Sequence, residues 1–187
     1  MQLITDLDFE YPFPTSVALG TFDGVHLGHR AVIRAAVESA QAEGLIPAVF
    51  TFSELPKNAF LPPEKRLTPL CTFREKAQLI GSMGVKLLIA PPFTKPLYSM
   101  PPDRFITQVL VSRLNARHIV CGWDHRFGAN GAGDTDLLMR ICREEGIAFT
   151  VIPPIKCGGE KISSTLIRKL LERGFIEDAR ALLGHDI

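Results

Sequence analysis

The chain has 187 residues, of which 46% are hydrophobic and 22% charged, and this size and composition are typical of one globular domain with a full core. Its formal net charge of +1 is too balanced to attract nucleic acid or a membrane surface broadly, so phosphate must be bound by a local cluster. The cysteines form no CxxC pair, and no targeting segment or run of 18 apolar residues occurs. We therefore predict a cytoplasmic protein with small-molecule substrates and no nucleic-acid or membrane partner.

Short apolar runs alternate with segments of helical periodicity along the chain. The apolar runs predict five buried parallel strands, at 16–22, 46–52, 85–91, 118–122 and 147–152. Helices are predicted at 30–43, 72–83, 103–114 and 134–145, with two short helices in the tail 163–187. A capping box, Thr72 with Glu75, opens the second helix, and Asp134 is expected to cap the fourth.

This alternation predicts an α/β fold, a Rossmann-like doubly wound sheet of five parallel strands in a single domain over residues 1–187. In such sheets, ligands bind beyond the carboxyl ends of the strands. Residues that directly follow a strand are therefore the first candidates for a functional site.

The first predicted strand runs into the sequence GTFDGVHLGH at 20–29, and a helix follows at once. Gly24 and Gly28 allow a tight turn and a close approach of a ligand to the backbone, and the helix start offers free N–H groups and a positive dipole end. His26 and His29 can each donate a hydrogen bond to a phosphate oxygen, more strongly when a nearby anion protonates them. The turn is predicted to stabilise developing negative charge; two capping or packed histidines are the bland alternative.

The segment 53–70 is rich in proline and carries Lys57, Lys65 and Arg66. It is too long for an ordinary strand-to-helix turn, and insertions of this kind are often lids or substrate loops. A surface excursion without function is the alternative.

Two further clusters follow later strands. The loop at 122–128 leads to Gly131, Gly133 and Asp134, and it could hold a nucleotide or be a plain glycine-rich connection. In the sequence KISSTLIR at 161–168, Ser164 is expected to cap a helix, with Arg168 one turn later on the same side. Hydroxyls with a guanidinium suit the β and γ oxygens of a nucleoside triphosphate, although Ser-Ser-Thr alone is more often only a cap.

The P-loop GxxxxGK[ST], the GxGxxG fingerprint and the GxSxG elbow are absent from the sequence, which argues against a P-loop kinase, a dinucleotide oxidoreductase and an α/β-hydrolase. Taken together, the residues above resemble the prokaryotic FAD synthetase family, the FMN adenylyltransferase module of bifunctional riboflavin kinase/FAD synthetase, within the HxGH nucleotidyltransferases. The resemblance covers essentially the whole chain: 20–29, 51–52, 66–68, Asp124, 126–128, 133–134, 163–165, 167–168 and 181–184.

The resemblance implies transfer of AMP from ATP to FMN, giving FAD and pyrophosphate by direct in-line attack. It implies that the catalytic residues are His26, His29 and Arg168. The implied ATP and phosphate site comprises Gly20, Phe22, Asp23, Gly28, Asp124, Ser163, Ser164 and Thr165. The implied FMN site comprises Phe60, Arg66, Leu67, Thr68 and Phe127. Mg²⁺ is expected to bridge phosphate oxygens, with no direct protein ligand indicated.

Three departures from the family pattern concern the acceptor. Leu55 stands where the family usually has the histidine of x-Pro-His-Pro, and His125 stands where it usually has phenylalanine. The chain also stops at Ile187, where members commonly continue into a riboflavin kinase domain. It either uses FMN made by a separate riboflavin kinase or is a piece of a longer protein. Two other functions stay open: adenylyl transfer to nicotinate mononucleotide or phosphopantetheine, and an inactive flavin- or nucleotide-binding regulator.

Overall fold

The structure, a computed structural model, describes residues 1–186. The strands and helices alternate along the chain, as the sequence predicts. The strands are β1 (Gln2–Ile4), β2 (Thr15–Leu19), β3 (Ile46–Phe50), β4 (Leu87–Ile89), β5 (Ala116–Gly122), β6 (Ala148–Ile152), β7 (Lys156–Cys157) and β8 (Glu160–Lys161). The helices are α1 (Leu27–Glu43), α2 (Phe73–Ser82), α3 (Lys95–Tyr98), α4 (Pro102–Arg104), α5 (Thr135–Glu144), α6 (Ser164–Glu172) and α7 (Ile176–Leu183). The helix predicted at 103–114 continues from α4 as a π-helix, Phe105–Arg113.

The main sheet is parallel, in the order β1-β4-β3-β2-β5-β6. The α/β class and the parallel sheet are confirmed, but the sheet has six strands where the sequence predicted five. The additional strand, β1, has three residues at the sheet edge, where Leu3 is exposed. Such a segment lacks the apolar run that marks a buried strand. Strands β7 and β8 form a separate antiparallel hairpin.

Alternate residues of the strands bury against helices on both faces of the sheet. Ala18 and Val49 pack with Ile33 of α1 on one face, whereas Leu19 packs with Ile106 and other residues of the π-helix on the opposite face. A smaller cluster holds α6 against α7. Among residues 1–186, no helix is both long enough and apolar enough to cross a lipid bilayer.

Both predicted N-terminal helix caps, at Thr72 and Asp134, are confirmed. Thr72 accepts a hydrogen bond from Glu75 N while the Glu75 carboxylate accepts from Thr72 N, and Asp134 accepts from Leu137 N. Along the chain, β2 is followed by strands on one side of it, and then by β5 and β6 on the other. The reversal lies between β2 and β5, and in doubly wound sheets ligands bind at the carboxyl ends there.

Candidate active site

A cavity of about 990 Å³ opens at the carboxyl ends of β2, β3, β5 and β6. Thirteen of the sixteen residues predicted for the site line it: His26, His29, Arg168, Gly20, Phe22, Asp23, Gly28, Asp124, Ser163, Ser164, Thr165, Leu67 and Phe127. The three others, Phe60, Arg66 and Thr68, are outside its lining. The structure thus brings the predicted phosphate site together and leaves part of the predicted flavin site outside.

The turn between β2 and α1 is tightly folded. Gly24 has a φ of 77°, and a Cβ there would come within 2.9 Å of Leu70, so glycine is required on both conformational and steric grounds. Phe22 also has a positive φ, 48°, although it is buried and not a glycine. This conformation is costly for an L-residue and is held only where the surroundings enforce it. The strained backbone of Phe22 therefore indicates that the turn has a functional role beyond connecting β2 to α1.

His26 and His29 stack face to face, with ring centroids 3.5 Å apart and an interplanar angle of 16°. The Nδ1 atom of His26 accepts the N–H of His29 at 3.2 Å and so caps α1. An Nδ1 acceptor requires the proton of the neutral ring to be on Nε2. The capping role considered from the sequence is therefore real, and it also fixes the tautomer of His26.

The tautomer of His29 follows from burial. Its Nδ1 is buried with no hydrogen-bond partner among residues 1–186. A buried unpaired acceptor is tolerated more readily than a buried unpaired N–H, so the proton belongs on Nε2, the nitrogen left open to the cavity. Both histidines thus offer an Nε2–H donor beside the free N-terminal N–H groups of α1.

Burial keeps both histidines neutral. Loss of solvation lowers the pKa of His26 from 6.5 to about 4, although the nearby Asp23 carboxylate raises it. Burial also lowers the pKa of His29 well below 6.5, and His26 and Lys76 lower it further. The sequence suggested that protonated histidines would donate hydrogen bonds. The structure indicates instead that both rings are neutral donors.

This burial predicts that acid destabilises the fold. Between pH 6.5 and about 4, His26 is protonated in the unfolded chain but not in the native one, so its contribution is complete above pH 6.5 and is lost as the pH falls. At about 1.4 kcal/mol per pH unit, the loss reaches about 3 kcal/mol. Urea unfolding of the wild type and of His26→Asn, which keeps a capping side chain, measures it. Identical pH dependence of the two proteins would contradict this expectation.

Asp23 and Arg168 form a part-buried ion pair, and the pair changes the role predicted for Asp23. The Asp23 carboxylate accepts from Leu70 N at 2.9 Å and from Arg168 Nη2. The Arg168 guanidinium also donates to the carbonyl of Thr68, from Nη2 at 3.0 Å and from Nε at 3.3 Å. Asp23 therefore positions the arginine and the end of the long loop, and its carboxylate is paired with the guanidinium, while its place in the phosphate site stays a prediction.

The structure assigns the N-cap of α6 to a different serine from the one predicted. Ser163, not Ser164, is the N-cap, because its Oγ accepts from Leu166 N at 3.2 Å. Ser164 begins the helix, and its hydroxyl donates to the carbonyl of Asp23 at 3.1 Å. Thr165 lines the cavity beside them. The cap preference of serine does not distinguish neighbouring serines, and tertiary contact decides between them.

Asp124 is paired with Lys161 of the β7–β8 hairpin, and the Lys161 ammonium also lies 4.8 Å from the centroid of the Trp123 ring. The prediction for Asp124 did not include this partner. Lys161 opens the 161–168 cluster, so its position in the sequence was the available signal. The lysine and tryptophan add a cationic and an aromatic group to the lining of the cavity beside Asp124.

Part of the cavity lining is apolar and aromatic. Phe127 and Leu67, two of the residues predicted for the FMN site, line the cavity together with Phe52, Phe93 and Tyr98, which the prediction did not include. Phe60 is 66% exposed, with its ring 5.2 Å from that of Tyr98. Aromatic residues without a recognised motif give no signal of function in a single sequence, because most are core.

The long loop is pinned at two points. The Asn58 side chain exchanges two hydrogen bonds of 2.9 Å with the backbone of Leu67, and Thr68 is held through its carbonyl by Arg168. Thr68 also lines a side cavity of about 200 Å³. The loop thus packs against the site as a substrate loop would, whereas Thr68 itself is used to hold Arg168.

The two residue differences from the family pattern, Leu55 and His125, both lie at the cavity. Leu55 is buried and lines both the main and the side cavity. The His125 ring lies parallel to that of Phe127 at 5.7 Å, and its buried Nε2 has no partner among the described residues. Burial lowers the pKa of His125 to about 4, so the ring enters the site neutral.

No group of three or more His, Cys, Asp and Glu side chains within residues 1–186 could hold a metal ion. The cavity carboxylates Asp23 and Asp124 are already paired with Arg168 and Lys161. This arrangement fits a Mg²⁺ ion that enters on the phosphates of a nucleotide and keeps water ligands.

The chain is similar in sequence to proteins of known name and similar in structure to a solved protein. Over 169 residues, the chain is 36% identical to the FAD synthetase of Listeria monocytogenes, covering 90% of this chain and 68% of that protein. It is 36% identical over 171 residues to the bifunctional riboflavin kinase/FMN adenylyltransferase of Bacillus subtilis, covering 90% of this chain and 52% of that protein. The crystal structure of a Streptococcus pneumoniae protein described as a macrolide-efflux protein superposes with a TM-score of 0.88 at 29% identity, covering 98% of this chain and 60% of that one.

The extent of these matches differs between the chain and its relatives. The chain spans about half the length of several bifunctional relatives, for example 53% of a second Listeria monocytogenes protein that is 34% identical to it. Residues 9–166 match the family model described as FAD synthetase, which is well over half of the chain. The chain therefore belongs to the FAD synthetase family.

Proposed function

We propose that this chain transfers AMP from ATP to FMN, giving FAD and pyrophosphate. The observation that carries the proposal is the stacked pair His26 and His29, whose neutral rings offer two N–H donors beside the N-terminus of α1 in a cavity of about 990 Å³. One end of that cavity is cationic and hydroxyl-rich, and the other is aromatic. These ends suit a triphosphate and a flavin respectively.

The reaction is a direct displacement at phosphorus. An FMN phosphate oxygen attacks the α-phosphorus of ATP and forms the new P–O bond, while the bond from the α-phosphorus to the bridging oxygen breaks. Pyrophosphate leaves with that electron pair, so no side-chain nucleophile is required. Catalysis then consists of alignment and of charge stabilisation by donors that are already oriented.

The residues of the chain divide this work by position. His26, His29 and the start of α1 at Gly28 face the charge that builds on the α-phosphate. Ser163, Thr165 and Arg168 hold the departing pyrophosphate, and the pairs that Asp23 and Asp124 form keep the neighbouring cations in place. Gly20 and Phe22 complete the phosphate site along the turn. A Mg²⁺ ion bound together with ATP would supply further charge neutralisation.

The deciding experiment is an assay of FAD formation from FMN, ATP and Mg²⁺, with FAD and pyrophosphate measured separately. One pyrophosphate per FAD supports the proposal. Turnover with nicotinate mononucleotide or phosphopantetheine in place of FMN would identify another acceptor. Binding of FMN and ATP with no pyrophosphate release would identify a regulator that retains the cavity.

The setting follows from the substrates. FMN would come from a riboflavin kinase, either a separate protein or another part of a longer chain. The cytoplasm supplies ATP with Mg²⁺, and we place the reaction there.

The altered acceptor side gives a prediction about FMN alone. Leu55 cannot donate to FMN, so Leu55→His should lower the KM for FMN about tenfold, the effect of one hydrogen bond to a charged group, and leave the KM for ATP within about twofold. Leu61→His, in the same loop but outside both cavities, is the control. Steady-state kinetics with each substrate varied measure both constants. A change confined to ATP would show that the acceptor side is misassigned.

A further inference from the structure

Lys76 is a buried charge that the reaction as described does not use. It is 6% exposed on α2, and its ammonium donates to the carbonyl of Phe52 at 2.8 Å and to that of Thr21 at 3.3 Å. None of the ion pairs among residues 1–186 includes it. The ammonium also lies 5.8 Å from the centroid of the Phe73 ring, but burying an ammonium without a carboxylate partner is unfavourable for folding. Its two acceptors lie just beyond the carboxyl ends of β2 and β3, where the cavity opens.

The Thr21 carbonyl receives two donors from outside the turn. The Thr51 hydroxyl donates to it at 2.9 Å, in addition to Lys76. No peptide bond in the described chain is cis, so the N–H of Phe22 points opposite to that carbonyl. Donors on one side of the peptide plane thereby fix where the N–H on the other side points.

The Phe22 N–H is the group that this arrangement presents. It donates to no acceptor among residues 1–186, and both Thr21 and Phe22 line the main cavity. An unpaired N–H in a turn next to a helix N-terminus is a ready donor to a phosphate oxygen. The left-handed backbone of Phe22, with φ 48° and ψ 37°, is not one that phenylalanine prefers. Without Lys76 and Thr51, the peptide would be free to rotate to a relaxed conformation.

We infer that Lys76 is a positioning residue for AMP transfer: with Thr51, it fixes the Thr21–Phe22 peptide so that the Phe22 N–H donates to the phosphate on which charge develops. The inference rests on the proposed function. The second contact of Lys76, to Phe52, ties the start of the long loop to the same turn. The lysine thus couples the phosphate side of the cavity to the acceptor side.

The test compares Lys76→Met, which keeps the length and removes both donation and charge, with Thr51→Val. Lys76→Met should lower kcat for FAD formation on the order of 10²-fold, as loss of one oriented donor does, and leave the KM for ATP within about threefold. Thr51→Val should lower kcat about tenfold, by loss of one of two donors to the same carbonyl. Because both act on one peptide, the double variant should be little slower than Lys76→Met alone. Arg74→Met, at an exposed position of the same helix, is the matched control for charge.

The outcomes separate this inference from the proposed function. An active wild type with kcat of Lys76→Met within about twofold of it, or with fully additive effects in the double variant, overturns the inference alone. No FAD from the wild type overturns the proposed function and the inference with it. If Lys76→Met does not fold, Thr51→Val decides: a lower kcat at unchanged KM for ATP supports the inference, and a wild-type kcat overturns it.

Discussion

Replacement of His29 by alanine is expected to lower kcat for AMP transfer by about 10² to 10³, while the dissociation constant for ATP changes less than about threefold. The reason is the position of the ring. Its buried Nδ1 leaves Nε2–H as the donor to the cavity, and the stacked His26 and the edge of Phe22 hold that donor in one orientation. Such a donor gains most when charge develops in the transition state, so its loss falls on kcat.

The measurement pairs single-turnover FAD formation with equilibrium binding of ATP. His29→Gln, which keeps an N–H donor without the ring, should retain more activity than His29→Ala. Thermal unfolding of both variants controls for the loss of the contacts that the His29 ring makes with Phe22 and with His26. A turnover number equal to that of the wild type would remove His29 from catalysis and leave it as part of the helix cap.

The second large effect is expected from Arg168→Lys. This substitution keeps the positive charge but removes the planar guanidinium with its several N–H donors. Three nitrogens of the guanidinium serve Asp23, the Thr68 carbonyl and the Ser164 carbonyl, and a lysine ammonium cannot reach all of these from one point. We expect kcat to fall by about 10 to 100, together with a weaker hold on the 53–70 loop. The proposed pyrophosphate site and the 53–70 loop should therefore be disrupted together.

Two readouts check the coupling. Steady-state kinetics report the chemical step, and limited proteolysis reports whether the loop opens more readily than in the wild type. Arg173→Lys is the control, since Arg173 is exposed just beyond the same helix. A lysine variant with wild-type rate, ATP affinity and protease resistance would make Arg168 a surface residue of a tail helix.

The sequence by itself determined the features that arise from near neighbours along the chain. The apolar runs predicted five strands of the main sheet. The capping residues Thr72 and Asp134 predicted where two helices begin, because capping and periodicity depend on residues only a few positions apart. The GTFDGVHLGH segment at 20–29 identified a turn that lines the cavity, for the same reason. It combines glycines, two histidines and a helix start within ten residues.

The long-range partners of these side chains are visible only in the folded structure. The Arg168 side chain is held by a carbonyl 100 residues away, Asp23 serves that arginine, and Lys161 pairs with Asp124. The edge strand β1 forms by pairing with β4, more than 80 residues later in the chain. Pairings between residues far apart in the chain leave no mark on local periodicity or composition. Burial of Lys76, which depends on how α2 packs beneath the ends of β2 and β3, is of the same kind.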